Sequence, residues 1–316
     1  MRFLITGGAG FIGSNFVRHI FEQAVPIASK VVVIDKLTYA GSLNNLAPFL
    51  HKLNFEFIHG DICDSRLVKD LVANCDVIVH FAAESHVDRS IDSAREFIKT
   101  NVLGTEVLLN EVKNNPKVKF LLVSTDEVYG SIDSGSWDEL CSLKPNSPYS
   151  ASKASADLLA LAYRNTYSLD IMISRCCNNY GPNQFPEKLI PLFIMNLMNG
   201  EKIPIYGNGS NVREWIHVDD HCTGLELILK DGKPGEIYNI GTGMEISNLN
   251  LAIKLARMFN LNEKSISFIE DRLGHDKRYS LDFTKARKQL GYEPVVPFEE
   301  GLKTTIDWYR KNQKII

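Results

Sequence analysis

The sequence predicts an α/β fold: a doubly wound parallel sheet with a smaller C-terminal substrate-binding lobe. Three observations carry that prediction. Short β-branched runs alternate with segments of helical periodicity, and most of the runs are apolar throughout instead of alternating. With 44% hydrophobic and 23% charged residues over 316 positions, there is also enough apolar material for a substantial core. A strand that is apolar on both faces belongs in a parallel sheet covered by helices on each side.

Taken in order, residues 3–6 (FLIT), 31–35 (VVVID), 55–59 (FEFIH), 77–83 (VIVHFAA), 120–125 (FLLVST) and 171–175 (IMISR) read as strands. Residues 12–21, 65–73, 94–113 and 150–167 place apolar side chains three and four apart, the spacing of helices laid on a sheet. Right-handed crossovers between such units put the ligand cleft at the carboxyl ends of the strands. After about Asn178 the pattern loosens into NNYGPNQFPEKLIP and YGNGSNVREW, rich in Gly, Asn and Pro. A first lobe is therefore expected over residues 1–177 and a second over 178–316, with residues of about 214–242 rejoining the first through the strand-like EIYNIG at 236–241. Ser247 is placed to cap a helix over 249–259, and amphipathic segments at 283–290 and 298–309 close the chain.

The formal net charge of -3 offers no basic field to a polyanion, so no nucleic-acid partner is expected and any phosphate must be met by a local site. No apolar run approaches the roughly 20 residues of a membrane helix. The six cysteines (Cys63, Cys75, Cys141, Cys176, Cys177 and Cys222) include no C-x-x-C pair, and the chain opens on the strand-like MRFLITGG. A reducing cytoplasm is the expected compartment.

In TGGAGFIG, Gly7, Gly10 and Gly13 stand between the first strand and the first helix. Glycines there let the backbone turn tightly and approach a pyrophosphate, which rests on the N–H groups and positive dipole of the helix N-terminus. Asp35 ends the second strand about twenty residues on, where it can accept from a ribose diol and repel an additional phosphate. NAD is the implied cofactor. Lys36 follows, its side chain directed away from its neighbour's. Asp61 in HGDI either meets the adenine or simply serves as a turn or N-cap aspartate.

Tyr149 and Lys153 form Y-x-x-x-K, one face of a helix beginning. An ammonium near a phenol favours phenolate, which lets the tyrosine take a hydroxyl proton during hydride transfer. Thr125, Asp126 and Glu127 follow a strand end. Two acids side by side exceed what simple alcohol oxidation requires and point to elimination of water, with Glu127 removing a proton next to a new ketone and Asp126, kept protonated, giving one to the departing hydroxyl.

The motifs TGGAGFIG, HFAAES, STDEVYG and YSASK stand in the order of the extended short-chain dehydrogenase/reductase family, which the chain resembles over essentially its whole length. The resemblance implies a Rossmann-type fold, Thr125 on the sugar, Tyr149 as base at its 4-hydroxyl and Lys153 on the nicotinamide ribose. It also implies cofactor contacts from Phe11, Ile12, Leu37, Thr38, Ile62, Phe81, Ala82, Ala83, Thr100 and Asn179. With AAESHVDRSI, VREWIHVDDH and DRLGHDKRY, the T-D-E triplet is similar to the sugar-nucleotide 4,6-dehydratases within that family. That implies one tightly held NAD, reduced and reoxidised in each turnover, and dTDP-glucose as substrate on the way to deoxysugars such as rhamnose, with UDP-glucose left open. Implied substrate contacts are Ser85, Asn178, Lys188 and Leu189, then Pro204 and Tyr206 over the base. Arg213, Asn248, Arg272 and His275 would hold nucleotide and diphosphate, and a homodimer through residues 94–113 and 150–167 is also implied. The chain departs from the family pattern at Leu273, where proline is usual, and at Cys176–Cys177, where a cysteine is usually followed by serine.

Other readings stand lower. His217 and His221 form H-x-x-x-H without the accompanying glutamate, so no metal is expected. Cys176 and Cys177 read as small core residues. A 4-epimerase or decarboxylase would share NAD, Tyr149 and Lys153 but has no use for paired acids, and a non-catalytic NAD-binding protein has no use for the tyrosine-lysine pair.

Overall fold

The computed structural model describes residues 1–23 and 27–312; the C-terminal end of the second lobe drawn from sequence, 313–316, lies outside them. Seven parallel strands form the main sheet: β1 (Arg2–Thr6), β2 (Lys30–Asp35), β3 (Phe55–His59), β4 (Val77–His80), β5 (Lys119–Thr125), β6 (Ile171–Cys176) and β10 (Ile237–Ile240). Their order is β10-β6-β5-β4-β1-β2-β3, so the winding reverses between β1 and β4 and opens a crevice there. Helices α1 (Phe11–Glu22), α2 (Ser65–Val72), α5 (Thr105–Asn114), α6 (Pro148–Tyr167) and α8 (Val218–Asp231) flank the sheet. Burial explains the apolar runs: Leu4, Ile5, Val33, Ile78, Val79, Leu121, Leu122 and Ile173 are each at most 1% exposed.

The remaining elements build a smaller assembly. A three-stranded sheet joins β7 (Asn178–Tyr180), β9 (Val212–His217) and β11 (Glu245–Ser247), and β8 (Ile203–Tyr206) pairs with β12 (Ile266–Ile269). These pack with α7 (Leu189–Met198), α9 (Asn248–Met258) and α11 (Phe298–Asn312) around Phe193, Ile194, Leu251 and Leu302. Two short turns, α3 (Val87–Asp92) and α4 (Arg95–Phe97), and helix α10 (Thr284–Leu290) complete the list. The strand expected at 236–241 is β10, on the edge of the main sheet beside β6.

Two sequence expectations change. The strand drawn over 77–83 ends at His80, because beyond it the chain crosses the glycine turn: Phe81 N–H donates to Thr6 O at 3.1 Å and Ala82 N–H to Thr6 Oγ1 at 3.2 Å. The single helix drawn over 94–113 is instead α4, a π-helical stretch over Ile98–Gly104, and α5. Asn101 sits in that widened turn, accepting from Glu84 N–H at 2.9 Å and donating to Glu84 O at 3.0 Å and Ser152 Oγ at 2.8 Å. The π turn thus aims one amide at both the segment after β4 and the helix carrying Tyr149.

Candidate active site

The crevice at the switch point is one cleft, lined by Gly7, Gly10, Phe11, Ile12, Gly13, Asp35, Lys36, Thr38, Asp61, Ile62, Phe81, Ala82, Ala83, Ser85, Thr100, Thr125, Asp126, Glu127, Tyr149, Lys153, Asn178, Asn179 and Lys188, among others. The glycines are there for space. Gly7 has φ +68°, and a Cβ on it would lie 2.6 Å from Ala82 N; one on Gly13 would lie 2.4 Å from Gly7 O. Helix α1 begins at Gly10 with no side-chain cap and no acid in its first turn. Its free N–H groups and positive end suit a phosphate, so the turn fits a dinucleotide's pyrophosphate.

Asp35 is 9% exposed and accepts from Ala9 N–H at 2.9 Å and Leu37 N–H at 2.8 Å. Burial pushes its pKa up, with those two N–H bonds opposing. Leu37 itself turns out of the cleft wall through a left-handed backbone, φ 53°. Asp61 is a turn aspartate and not the cap of α2. It forms a turn through Cys63 N–H at 2.9 Å, pairs with Lys36 Nζ at 2.9 Å and still lines the cleft, whereas α2 is capped by Asp64.

Ser147 caps α6 in a reciprocal box with Ser150, and Pro148 occupies the first turn, which presents Tyr149 and then Lys153 to the cleft. Thr125 ends β5 and caps the 3-10 turn Asp126–Tyr129, accepting from Glu127 N–H at 3.3 Å and donating to Asp126 Oδ1 at 3.1 Å. That short turn forces two adjacent acids into one cleft. Asp126 is 2% exposed, and its Oδ2 has no hydrogen-bond partner. Burial, then Glu127 and Glu214, hold its pKa well above the usual aspartate range, which favours the protonated form. Burial raises Glu127 as well, but Arg272, Arg213 and Lys188 all oppose it. Neighbouring carboxyl groups with surroundings this unlike are equipped to act as an acid and a base.

The Tyr149 phenol departs from the sequence expectation. Burial, then Glu127, Cys176 and Asp126, push its pKa well above the ordinary value, with a Thr125 hydrogen bond opposing. Lys153 Nζ donates to Val123 O at 2.8 Å.

Some predicted substrate residues lie outside the cleft wall: Leu189, Pro204, Tyr206, Arg213, Asn248, Arg272 and His275. Several of them form a second group beside it. Tyr206 OH donates to Asp88 Oδ2 and Arg272 Nη1 to Asp88 Oδ1, each at 3.4 Å; His275 packs edge-on to Tyr206 and meets Asp271 Oδ1 at 2.7 Å. Arg213 is 5% exposed, donates to the carbonyls of Val212, Asp276 and Lys277, and lies over the Tyr279 ring at 4.4 Å. Lys188 Nζ reaches Ser85 O at 2.7 Å. Arg272 Nε, Asn178 Oδ1 and Asn248 Oδ1 are buried and without partners. Leu273 is 79% exposed, so its departure from the family pattern falls on the surface.

His217 and His221 serve the fold. His217 caps α8 through Asp219 N–H, and His221 Nδ1 meets Asn179 Oδ1 at 2.9 Å. Cys176 and Cys177 are core residues that also touch the cleft, and burial pushes the Cys176 thiol up to about 12. Sequence reasoning missed Asn101, Asp157 and Arg175. The four-residue spacing from Tyr149 to Lys153 runs on to Asp157 and could have found it.

The model of the GDP-mannose 4,6 dehydratase family matches residues 4–305. The chain is 52% identical over 315 residues to a dTDP-glucose 4,6-dehydratase of Streptomyces niveus, covering 99% of this chain and 94% of the relative. It superposes with TM-score 0.98 and 54% identity on the DesIV dTDP-glucose 4,6-dehydratase of Streptomyces venezuelae, solved with NAD and dTDP bound, covering 100% of this chain and 98% of the other. A dTDP-glucose 4,6-dehydratase of Bacillus anthracis in complex with NAD superposes with TM-score 0.93 at 44% identity, covering 99% and 98% of the two chains.

Proposed function

The chain belongs to the GDP-mannose 4,6 dehydratase family, and from that premise we propose that it is an NAD-dependent hydro-lyase converting dTDP-glucose to dTDP-4-keto-6-deoxyglucose. The carrying observation is the pair of adjacent buried acids in one cleft, with unlike surroundings: burial and neighbouring carboxylates raise the Asp126 pKa, whereas Arg272, Arg213 and Lys188 oppose the rise at Glu127. An epimerase needs neither.

Held by the glycine turn and Asp35, NAD would supply a hydride acceptor for C4 and a hydride donor for C6, so the net reaction would be loss of water alone. The chain's residues handle the protons. Tyr149 takes the proton of the 4-hydroxyl while Thr125 holds that oxygen. The C4 ketone acidifies the C5 proton, which Glu127 removes. Asp126 gives its proton to the C6 hydroxyl, and the C6–O bond breaks to release water; as C6 is reduced, Glu127 returns its proton to C5, and the proton taken up by Tyr149 restores Asp126. Arg213 and Arg272 supply donor forks for the diphosphate in a chain with no general basic field. Gly7, Gly10, Gly13 and the open end of α1 hold the cofactor's pyrophosphate, and Asp35 its adenosine ribose.

The active unit is a homodimer paired through the π-containing segment and α6, which expose Ile98 (56%), Leu103 (49%), Leu158 (58%) and Tyr167 (44%). Light scattering at twice the chain mass supports that pairing, and a monomer mass counts against it. No helix among the described residues is long and apolar enough to cross a membrane. All six cysteines are free, which fits a cytoplasmic setting.

Incubation with dTDP-glucose, followed by alkali, is expected to develop the absorbance of the 4-keto sugar. Release of UDP-galactose from UDP-glucose without that absorbance would replace the dehydratase reading with an epimerase. Competition between dTDP-glucose and UDP-glucose at equal concentration then fixes the base, with dTDP-glucose expected to be consumed first.

A further inference from the structure

Tyr149, Lys153 and Asp157 follow one another at four-residue intervals along α6, and all three are buried, Asp157 at 0% exposure. A second cation stands behind the lysine. Arg175 on β6 is 2% exposed and donates through Nε to Asp157 Oδ2 at 2.9 Å. Its Nη1 donates to Tyr129 OH at 2.8 Å, its guanidinium lies over that ring at 4.7 Å, and Tyr129 OH donates to Asn239 Oδ1 at 2.9 Å on β10. The second carboxylate oxygen, Asp157 Oδ1, is buried with no hydrogen-bond partner. Arg175 thus pairs directly with that carboxylate, and Lys153 stands one helical turn before it on α6, buried like it.

A buried ion pair is a poor device for stability alone, since well-packed apolar residues of similar volume serve at least as well. Its position under Lys153 suggests another purpose. We infer that Asp157 is a positioning residue for the proposed reaction: anchored by Arg175 and Tyr129, its carboxylate keeps the Lys153 ammonium charged and available to the nicotinamide end of the cofactor. This rests on the reading of Lys153 as the cofactor-facing cation.

The titratable groups around Lys153 leave the task to Asp157. Tyr149 and Asp157 come from α6, Cys176 and Arg175 from β6, and His80 from β4. Burial works to strip the Lys153 proton, and Asp157 is the leading charge that opposes it. His80 is neutral, pushed down to about 3 by burial and then by Lys153 itself, and its two ring nitrogens are taken by Thr6 at 2.7 Å and Thr105 at 2.9 Å. The Cys176 thiol, pushed up to about 12, carries no charge near neutrality.

The test is NAD affinity of the full chain as a function of pH, by fluorescence titration, for wild type, Asp157→Asn, Lys153→Met and the double variant. Asp157→Asn is expected to lose about tenfold in affinity on the alkaline side, with the loss beginning about one pH unit below that of wild type. In the Lys153→Met background, Asp157→Asn should add nothing. An equal loss in both backgrounds would overturn the inference, because a purely structural role weakens binding whether or not the lysine is present. Should Asp157→Asn fail to fold, Asp157→Asn with Arg175→Gln removes both members of the pair; the same alkaline shift is expected, and a wild-type profile would again overturn it. Turnover of dTDP-glucose by wild type reports separately on the proposed function.

Discussion

The glycine turn after β1 and the segment running from Asp271 to Tyr279 are the two regions proposed to meet phosphate, and they are built by opposite means. The turn uses backbone alone: a left-handed Gly7, a Gly13 with no room for a Cβ, and an uncapped helix end. The later segment uses side chains held from afar. Arg213 on β9 is fixed by the carbonyls of Asp276 and Lys277, and Asp276 is itself held by Asn146 at 2.5 Å and Tyr279 at 2.5 Å. A backbone site tolerates almost no substitution. A side-chain site loses one cation at a time.

That contrast ranks the expected damage. Gly13→Ala forces a methyl group onto the Gly7 carbonyl, 2.4 Å away, and overpacking of this kind costs about 1–3 kcal/mol. Isothermal titration should show NAD affinity reduced by roughly ten- to a hundredfold; unchanged affinity would mean the turn does not carry the pyrophosphate. Arg272→Ala should be milder, raising KM for dTDP-glucose about tenfold with little change in kcat, because a charge-assisted bond contributes roughly 1.5–3 kcal/mol and this guanidinium is 23% exposed. A fall in kcat at constant KM would move Arg272 from substrate binding to the chemical step.

Asp126→Asn sharpens the electrostatic half of the comparison. The folded-state pKa of Asp126 is raised, so the stability it lends is fully present below the ordinary aspartate value of about 3.9 and is lost as pH rises through the raised value. The variant should therefore melt above wild type at neutral pH, and the gap should narrow toward about pH 4 in thermal scans. A gap that widens toward acid would contradict the protonated reading. Ser147→Ala is the smallest expected effect: loss of the capping box on α6 costs about 1 kcal/mol, or roughly 2–4 °C in Tm.

The same contrast explains what could be read from sequence. The glycine turn, Asp35, and the Tyr149–Lys153 pair are local patterns, each within one element or one loop, and their spacing carries the chemistry. The apolar runs likewise marked six strands of the main sheet, with β4 shortened only because its chain must cross the glycine turn. The convergence of Arg213, Arg272 and Lys188 on Glu127 is non-local, assembled from β9, the 271–279 segment and the start of α7, and no spacing along the chain encodes it. The π turn was illegible for a similar reason: Asn101 widens its helix to reach Glu84 and Ser152, partners 17 and 51 residues away. The height of the Tyr149 pKa depends on how deeply the phenol is buried and which acids stand near it, which only the fold decides.

The division of labour between the adjacent acids is tested most directly by Glu127→Gln mixed in a stopped flow with dTDP-glucose and observed through the reduced-nicotinamide absorbance. Oxidation at C4 should proceed, the reduced cofactor should persist, and no 4-keto-6-deoxy sugar should form. Release of that product at the wild-type rate would contradict the account.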